Sequence, residues 1–123
     1  MKKKILVVDD SLNLRSSLNR FLGVKYEVIL AENGQECLDI LEKREDIDLL
    51  IMDVNMPVMD GIQAVHEISK SSNIGEVQTI MLTTETSGKK KAELLKYKFV
   101  RCWIIKPITQ DLIVATVDKI LAR

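Results

Sequence analysis

Five short apolar runs punctuate the chain, and between them the apolar residues recur at three- and four-residue spacing. Ile5-Leu6-Val7-Val8, residues 26–31, Leu49-Leu50-Ile51-Met52, residues 79–82 and residues 102–105 read as strands. The first, third and fourth are continuous rather than alternating, as in strands buried on both faces of a parallel sheet. Leu14, Leu18, Phe21 and Leu22 mark a first helix, with Ser11 as its N-cap and Gly23 as its stop. Cys37, Leu38 and Leu41 mark a second, after a Glu32-Asn33-Gly34 turn in which Asn-Gly is expected to supply positive φ. Ile62, Val65 and Ile68 mark a third. Residues 87–99 read as a weakly amphipathic, lysine-rich fourth helix. Thr109 caps a fifth, with Asp111 in its first turn and Ile113, Val117, Ile120 and Leu121 as its buried stripe. Strand and helix thus alternate five times with short connections, which predicts an α/β protein with a parallel sheet covered on both faces.

Length adds that residues 1–123 form one domain. Lys and Arg total 18, Asp and Glu total 18, so no basic excess argues for nucleic acid. Cys37, Cys102 and His66 have no zinc or iron–sulfur spacing, and two isolated cysteines suit a reducing cytoplasm. Lys2-Lys3-Lys4 precedes an apolar run too short for a signal peptide, and no run is long enough to span a membrane. No GxSxG, P-loop, GxGxxG or HExxH pattern is present, which removes those enzyme classes.

The polar residues with most to explain all follow strands: Asp9 and Asp10 the first, Asp53 the third, Thr83 the fourth, Lys106 the fifth. In open α/β sheets ligands bind outside the carboxyl ends of the strands, where the strand order reverses. One common order for such sheets, 2-1-3-4-5, is taken over from known folds rather than read from the residues. It makes strands one and three neighbours and brings the three aspartates together. At about 4 Å and an effective dielectric near 20, each carboxylate pair would repel by roughly 4 kcal/mol. Protonation, looser packing or a cation must relieve that. A divalent metal is the simplest relief, and an all-oxygen donor set favours Mg²⁺ over zinc. With Lys106 as a point charge and Thr83 as a hydroxyl (Thr84 is its rival), the set suits phosphoryl transfer. A carboxylate can itself accept the group as an acyl phosphate.

Each piece also has a plain structural explanation. Asp9 and Asp10 can serve a helix N-terminus, Asp53 a turn, and Thr83 a backbone hydrogen bond. His66 reads as a surface histidine, Trp103 as strand packing. Lys89-Lys90-Lys91, with Lys96, Lys98 and Arg101, reads as a solvated helix face that is also a candidate docking face. Four strand ends carrying the right residue types on one sheet edge are what the plain explanation does not supply.

These residues resemble the response-regulator receiver family of two-component systems. The motifs are Ile5-Leu6-Val7-Val8-Asp9-Asp10-Ser11, the run from Met52 through Asp53 and Asn55-Met56-Pro57 to Asp60-Gly61, Met81-Leu82-Thr83-Thr84 and Ile105-Lys106-Pro107. The similarity covers essentially the whole chain, and residues 55–61 look closest to stand-alone chemotaxis regulators of the CheY type. The resemblance implies a flavodoxin-like, doubly wound, five-stranded sheet in the order 2-1-3-4-5 with five helices. It implies that Asp53 accepts a phosphoryl group from a sensor histidine kinase or a small donor such as acetyl phosphate. It implies Mg²⁺ held by Asp10, Asp53 and the backbone carbonyl of Asn55, with Asp9 assisting. Lys106 would pair with a phosphoryl oxygen, Thr83 would turn toward it, and Trp103 would occupy the aromatic-switch position. The Lys106–Pro107 peptide is usually cis in the family. Output would pass through helix 4, strand 5 and helix 5 to a protein target, from a monomer or weak dimer without nucleic acid or membrane. Such a protein is a phosphoacceptor switch rather than an enzyme acting on other substrates. A phosphorelay shuttle and a small aspartyl-phosphate phosphatase are the alternatives; the latter's DxD pattern is missing after the first strand. Departures from the family pattern are Phe99-Val100-Arg101-Cys102 where small residues are usual, Ile108 for a frequent Phe, the bulk of Trp103, and one extra residue between Thr83 and Lys106.

Overall fold

The structure, a computed structural model, describes residues 2–84 and 88–122. The strands are β1 (Lys4–Val8), β2 (Glu27–Ala31), β3 (Leu49–Asp53), β4 (Thr79–Thr83) and β5 (Val100–Ile105). The helices are α1 (Leu12–Leu22), α2 (Gly34–Lys43), α3 (Gly61–Lys70), α4 (Gly88–Leu95) and α5 (Gln110–Leu121). All strand pairs are parallel, in the order β2-β1-β3-β4-β5. This is the flavodoxin-like architecture that the alternation and the resemblance imply.

The continuous apolar runs occupy the centre of the sheet, where both faces are covered. Residues of β3 and β4 are buried throughout. Side chains alternate between two cores because successive strand residues point to opposite faces. Leu6, Val8, Leu50, Met52 and Met81 pack under α2, α3 and α4. Ile5, Val7, Leu49, Ile51, Ile80 and Leu82 pack under α1 and α5, against Leu18, Leu22, Ile113 and Val117. Burying each such aliphatic side chain contributes roughly 1.5–3 kcal/mol, so the cores are what hold the strand ends in register.

Four helices begin on a side chain that accepts a backbone N–H three residues on: Ser11 from Leu14, Asn33 from Glu36, Asp60 from Gln63, Thr109 from Leu112. The Asn33-Gly34 expectation is corrected here. Asn33 is extended, with φ −160°, and no described glycine has positive φ. The pair starts α2 as an N-cap rather than forming a left-handed turn, and Glu36 closes the cap by accepting the N–H of Glu32 at 3.0 Å. Gly34 is needed for closeness instead: a Cβ there would sit 2.7 Å from the carbonyl oxygen of Met59.

The fourth helix is also shorter than its pattern. Ser87, where the sequence begins it, lies outside the described residues, and α4 ends at Leu95. Its single buried residue, Leu94, gives it no stripe long enough to continue. Tyr97 N–H donates to the Leu94 carbonyl, Val100 N–H to Tyr97, and Thr79 N–H to Phe99, so the chain turns into β5 two residues before Cys102. No described helix is long and apolar enough to cross a membrane.

Candidate functional site

The winding reverses between β1 and β3, and there the carboxyl ends of these two strands lie side by side: Val8 pairs with Met52. One residue further, Asp9 and Asp53 face each other across the crevice. Asp9, Asp10 and Asp53 each offer a carboxylate oxygen within 4.8 Å of the others. The two strands supply buried acids, Asp9 at 1% and Asp53 at 5% exposure, whereas Asp10 is exposed at the mouth.

Asp9 is the most firmly held of the three. Its Oδ1 accepts the backbone N–H of Ser11 at 2.8 Å. Its Oδ2 accepts from Lys106 Nζ at 2.9 Å, and Arg15 donates to its carbonyl at 2.7 Å. Lys106 Nζ also lies 3.2 Å from Asp53 Oδ2. Asp53 Oδ1 accepts the N–H of Asn55 at 3.3 Å. Lys106 itself is placed by its own N–H, which donates to the carbonyl of Thr83 at 2.8 Å, and its peptide bond to Pro107 is cis.

The electrostatics follow from this packing. Burial pushes the Asp53 carboxyl above the ordinary carboxylate range; Asp9 adds to the push, while Lys106 and the Asn55 N–H oppose it and fall short. For Lys106, burial works against the ammonium, but the hydrogen bond to Asp9 and the charges of Asp9 and Asp53 win and raise its pKa. The ammonium is therefore shared unequally and serves Asp9 before Asp53. One ammonium facing three carboxylates leaves the crevice short of positive charge. The donors are all oxygen and sit at a spacing one small hard cation can bridge, so the residues fit Mg²⁺.

Thr83 is fully buried at the end of β4, while Thr84 is exposed. Trp103 pairs with Met81 across β4 and β5 and packs, partly buried, on the core beneath α3 and α4. By alternation Thr83 and Trp103 share that face. His66 stands apart from the acids: it is exposed on α3, with Nδ1 3.2 Å from the hydroxyl of Tyr97. A cleft of about 540 Å³ between α1 and the segment after β5 touches Lys106, Thr84 and Pro107 but not the aspartates.

Two features escape the sequence. Ser11 reads in the sequence as an N-cap and Arg15 carries no signal there, yet both fix Asp9. Val58, in the loop between Asp53 and α3, has φ +69° while Met59 N–H bonds back to the Pro57 carbonyl at 2.7 Å. That is a γ-turn of the strained hand, centred on a β-branched residue that is 82% exposed. Nothing in a valine announces such a turn. It carries the chain round so that the Met59 carbonyl accepts from Gly34 N–H at 3.0 Å, which ties the loop to α2.

A five-stranded order 2-1-3-4-5 with an acidic triad and a lysine at its switch point defines a class, and the chain belongs to it: residues 5–118 match the response regulator receiver domain. It is 34% identical over 120 residues to a chemotaxis protein CheY homolog of Campylobacter jejuni, covering 96% of this chain and 92% of that one. Among solved structures, Vibrio cholerae chemotaxis protein CheY4 superposes with TM-score 0.86 at 36% identity, covering 98% of this chain and 100% of that one. The response regulator TrrA of Thermotoga maritima, solved in complex with Mg²⁺-BeF, gives TM-score 0.82 at 31% identity over 97% of this chain and 99% of that one.

Proposed function

We propose that this receiver domain is a phosphorylation switch in which Asp53 takes a phosphoryl group in a Mg²⁺-dependent reaction. The observation that carries the reading is the contact of one ammonium, Lys106, with both buried aspartates at 2.9 and 3.2 Å, beside a third carboxylate. The donor is a phosphohistidine on a sensor histidine kinase, or acetyl phosphate. A carboxylate oxygen of Asp53 forms a bond to phosphorus as the bond from phosphorus to the donor's imidazole nitrogen, or to its acetate oxygen, breaks. The electron pair leaves with the donor, and Asp53 ends as an acyl phosphate. Asp53 attacks as the carboxylate, a state that its burial disfavours and Lys106 defends. Lys106 then meets the negative charge that gathers on the transferring oxygens, and the Thr83 hydroxyl turns to donate to the same group. Asp10, Asp53 and the Asn55 carbonyl, with Asp9 in support, would hold Mg²⁺, which supplies charge neutralisation and in-line positioning.

The chain promotes only its own phosphorylation and dephosphorylation. The added charge favours one of two pre-existing conformations of the domain, with Trp103 as the aromatic partner. Output passes through α4, β5 and α5 to a protein target. The names of the Campylobacter and Vibrio relatives support a chemotaxis role, and the Mg²⁺-BeF complex of the Thermotoga relative supports the metal. The test is intact mass after acetyl phosphate treatment, with and without Mg²⁺. A gain of one phosphoryl group that needs Mg²⁺ and vanishes in Asp53→Asn is expected. Uptake that survives in Asp53→Asn places the nucleophile elsewhere and sinks the reading.

A further inference from the structure

Asp10 is the one acid of the crevice whose own side chain nothing holds. Among the described residues its carboxylate enters no hydrogen bond or ion pair, and the residue is exposed. The peptide groups on either side of it are both pinned. On the C-terminal side the Ser11 N–H donates to Asp9 Oδ1 at 2.8 Å. On the N-terminal side the Asp9 carbonyl accepts from Arg15 Nη1 at 2.7 Å. A peptide group is planar, so restraining its oxygen or its N–H restrains the direction in which the adjoining Cα leaves. Asp10 is thus aimed by its neighbours rather than by contacts of its own.

Arg15 uses its guanidinium in an unexpected way. It stands near the N-terminal end of α1, where the helix dipole disfavours a cation. Among the described residues no carboxylate lies within ion-pair distance of it, although two aspartates precede its helix. Its partner is a backbone oxygen instead. Asp9 is anchored without that bond: its N–H donates to the Ala31 carbonyl at 3.1 Å, its Oδ1 takes the Ser11 N–H and its Oδ2 the Lys106 ammonium. The Asp9 carbonyl lies one residue beyond Val8, the last residue of β1 that pairs with a neighbouring strand. Arg15 therefore supplies a donor where strand pairing has ended. Helical side chains lean toward the N-terminus, which lets a residue four positions after the Ser11 cap reach back that far.

Resting on the switch reading, we infer that Arg15 is a positioning residue that sets the affinity for Mg²⁺ by holding the Asp9 carbonyl and so aiming the Asp10 carboxylate into the crevice. It makes no hydrogen bond or ion pair with Asp53, so it acts on the metal site and not on the acceptor. The sign of its effect separates this role from a plain charge effect. As a charge beside three carboxylates Arg15 would repel Mg²⁺, and removing it would tighten binding. As an aligner, its removal frees the Asp9–Asp10 peptide, and binding weakens because the Asp10 ligand is no longer preorganised.

The test titrates the full chain with magnesium chloride alone in a calorimeter. Arg15→Met keeps the length of the side chain and loses its donors; it is expected to bind Mg²⁺ ~10-fold more weakly. Arg20→Met removes the same charge from the far end of α1, where the guanidinium lies over the Phe21 ring, and is expected to change the affinity less than ~2-fold. Phosphoryl uptake from acetyl phosphate, followed by intact mass, is then measured across Mg²⁺ concentrations. In Arg15→Met the Mg²⁺ needed for half the maximal rate should rise ~10-fold, while the rate at saturating Mg²⁺ stays within ~3-fold of the parent. Unchanged or tighter Mg²⁺ binding in Arg15→Met, an equal loss in Arg20→Met, or a loss confined to the saturated rate overturns the inference. Should Arg15→Met fail to fold, Arg15→Lys decides: the same charge with a poorer reach should still weaken Mg²⁺ binding at least ~3-fold, and unchanged affinity overturns the inference. Mg²⁺-dependent uptake in the unaltered chain, with Mg²⁺ affinity unmoved by the Arg15 variants, defeats the positioning role and leaves the switch standing; absent uptake in the unaltered chain defeats the switch itself.

Discussion

Lys106 donates to Asp9 at 2.9 Å, closer than it stands to the proposed acceptor Asp53 at 3.2 Å. The resting cation is engaged by the first strand's acid, and in the proposed switch a phosphoryl group on Asp53 would compete with Asp9 for it. Lys106→Met would leave two buried carboxylates facing one another. We expect a stability loss of about 2–3 kcal/mol at neutral pH in urea melts, somewhat below the usual cost of orphaning a buried charge because Asp10 opens to solvent. The loss should shrink in acid, where the carboxylates take up protons. Phosphoryl uptake should slow at least ~10-fold. A variant as stable and as fast as the parent would remove Lys106 from the site.

Asp53 gives a pH dependence of definite sign. Its folded pKa lies above the unfolded value, so the folded state binds the proton more tightly. The stability that protonation provides is present below the unfolded pKa and is lost as pH rises through the folded one. At neutral pH the ionised side chain therefore weakens the fold. Asp53→Asn should be more stable there by about 1–2 kcal/mol, because the amide escapes the cost of burying a charge and, after that, the repulsion from Asp9 that Lys106 does not cancel. The advantage should fade on acidification. Added Mg²⁺ should raise the melting temperature of the unaltered chain more than that of the variant.

Gly61 opens α3 directly behind the acceptor. A Cβ there would lie 2.4 Å from the Asp53 carbonyl oxygen and 2.9 Å from the Met81 methyl. The methyl can swing aside; the backbone oxygen of a central strand cannot. Gly61→Ala should cost about 3 kcal/mol, through overpacking rather than backbone conformation, and should displace Asp53 enough to slow phosphoryl uptake. Equilibrium denaturation and a mass time course measure the two effects separately.

Val58 predicts the opposite sign. A β-branched residue at φ +69° costs about 1–3 kcal/mol, against roughly 0.5–1 kcal/mol for the added chain entropy of a glycine. Val58→Gly should therefore stabilise the fold by about 1 kcal/mol in chemical denaturation, since the exposed valine side chain gives up little packing. An unchanged or lowered midpoint would show that the turn holds no strain.

The sequence by itself determined the five strands, the helix caps at Ser11 and Thr109, and the fact that Asp9, Asp10, Asp53, Thr83 and Lys106 all follow strands. These are legible because burial and capping act locally: a continuous apolar run, or a hydroxyl before a helical stripe, has the same cause wherever the chain goes. The strand order had to be taken over from known folds, because two parallel arrangements bury the same runs equally well. The misread Asn33-Gly34 pair and the overlong fourth helix share one origin. Asn-Gly suits a left-handed turn in isolation, and lysine-rich residues are good helix formers, but packing against Met59 and pairing with β4 prevailed.

Only the tertiary structure decided that Lys106 serves Asp9 first, that Ser11 and Arg15 fix that acid, and that Val58 carries a strained turn. Each depends on distances between segments far apart in sequence. Electrostatic and steric energies change steeply over an ångström, and spacing along a chain carries no information at that scale.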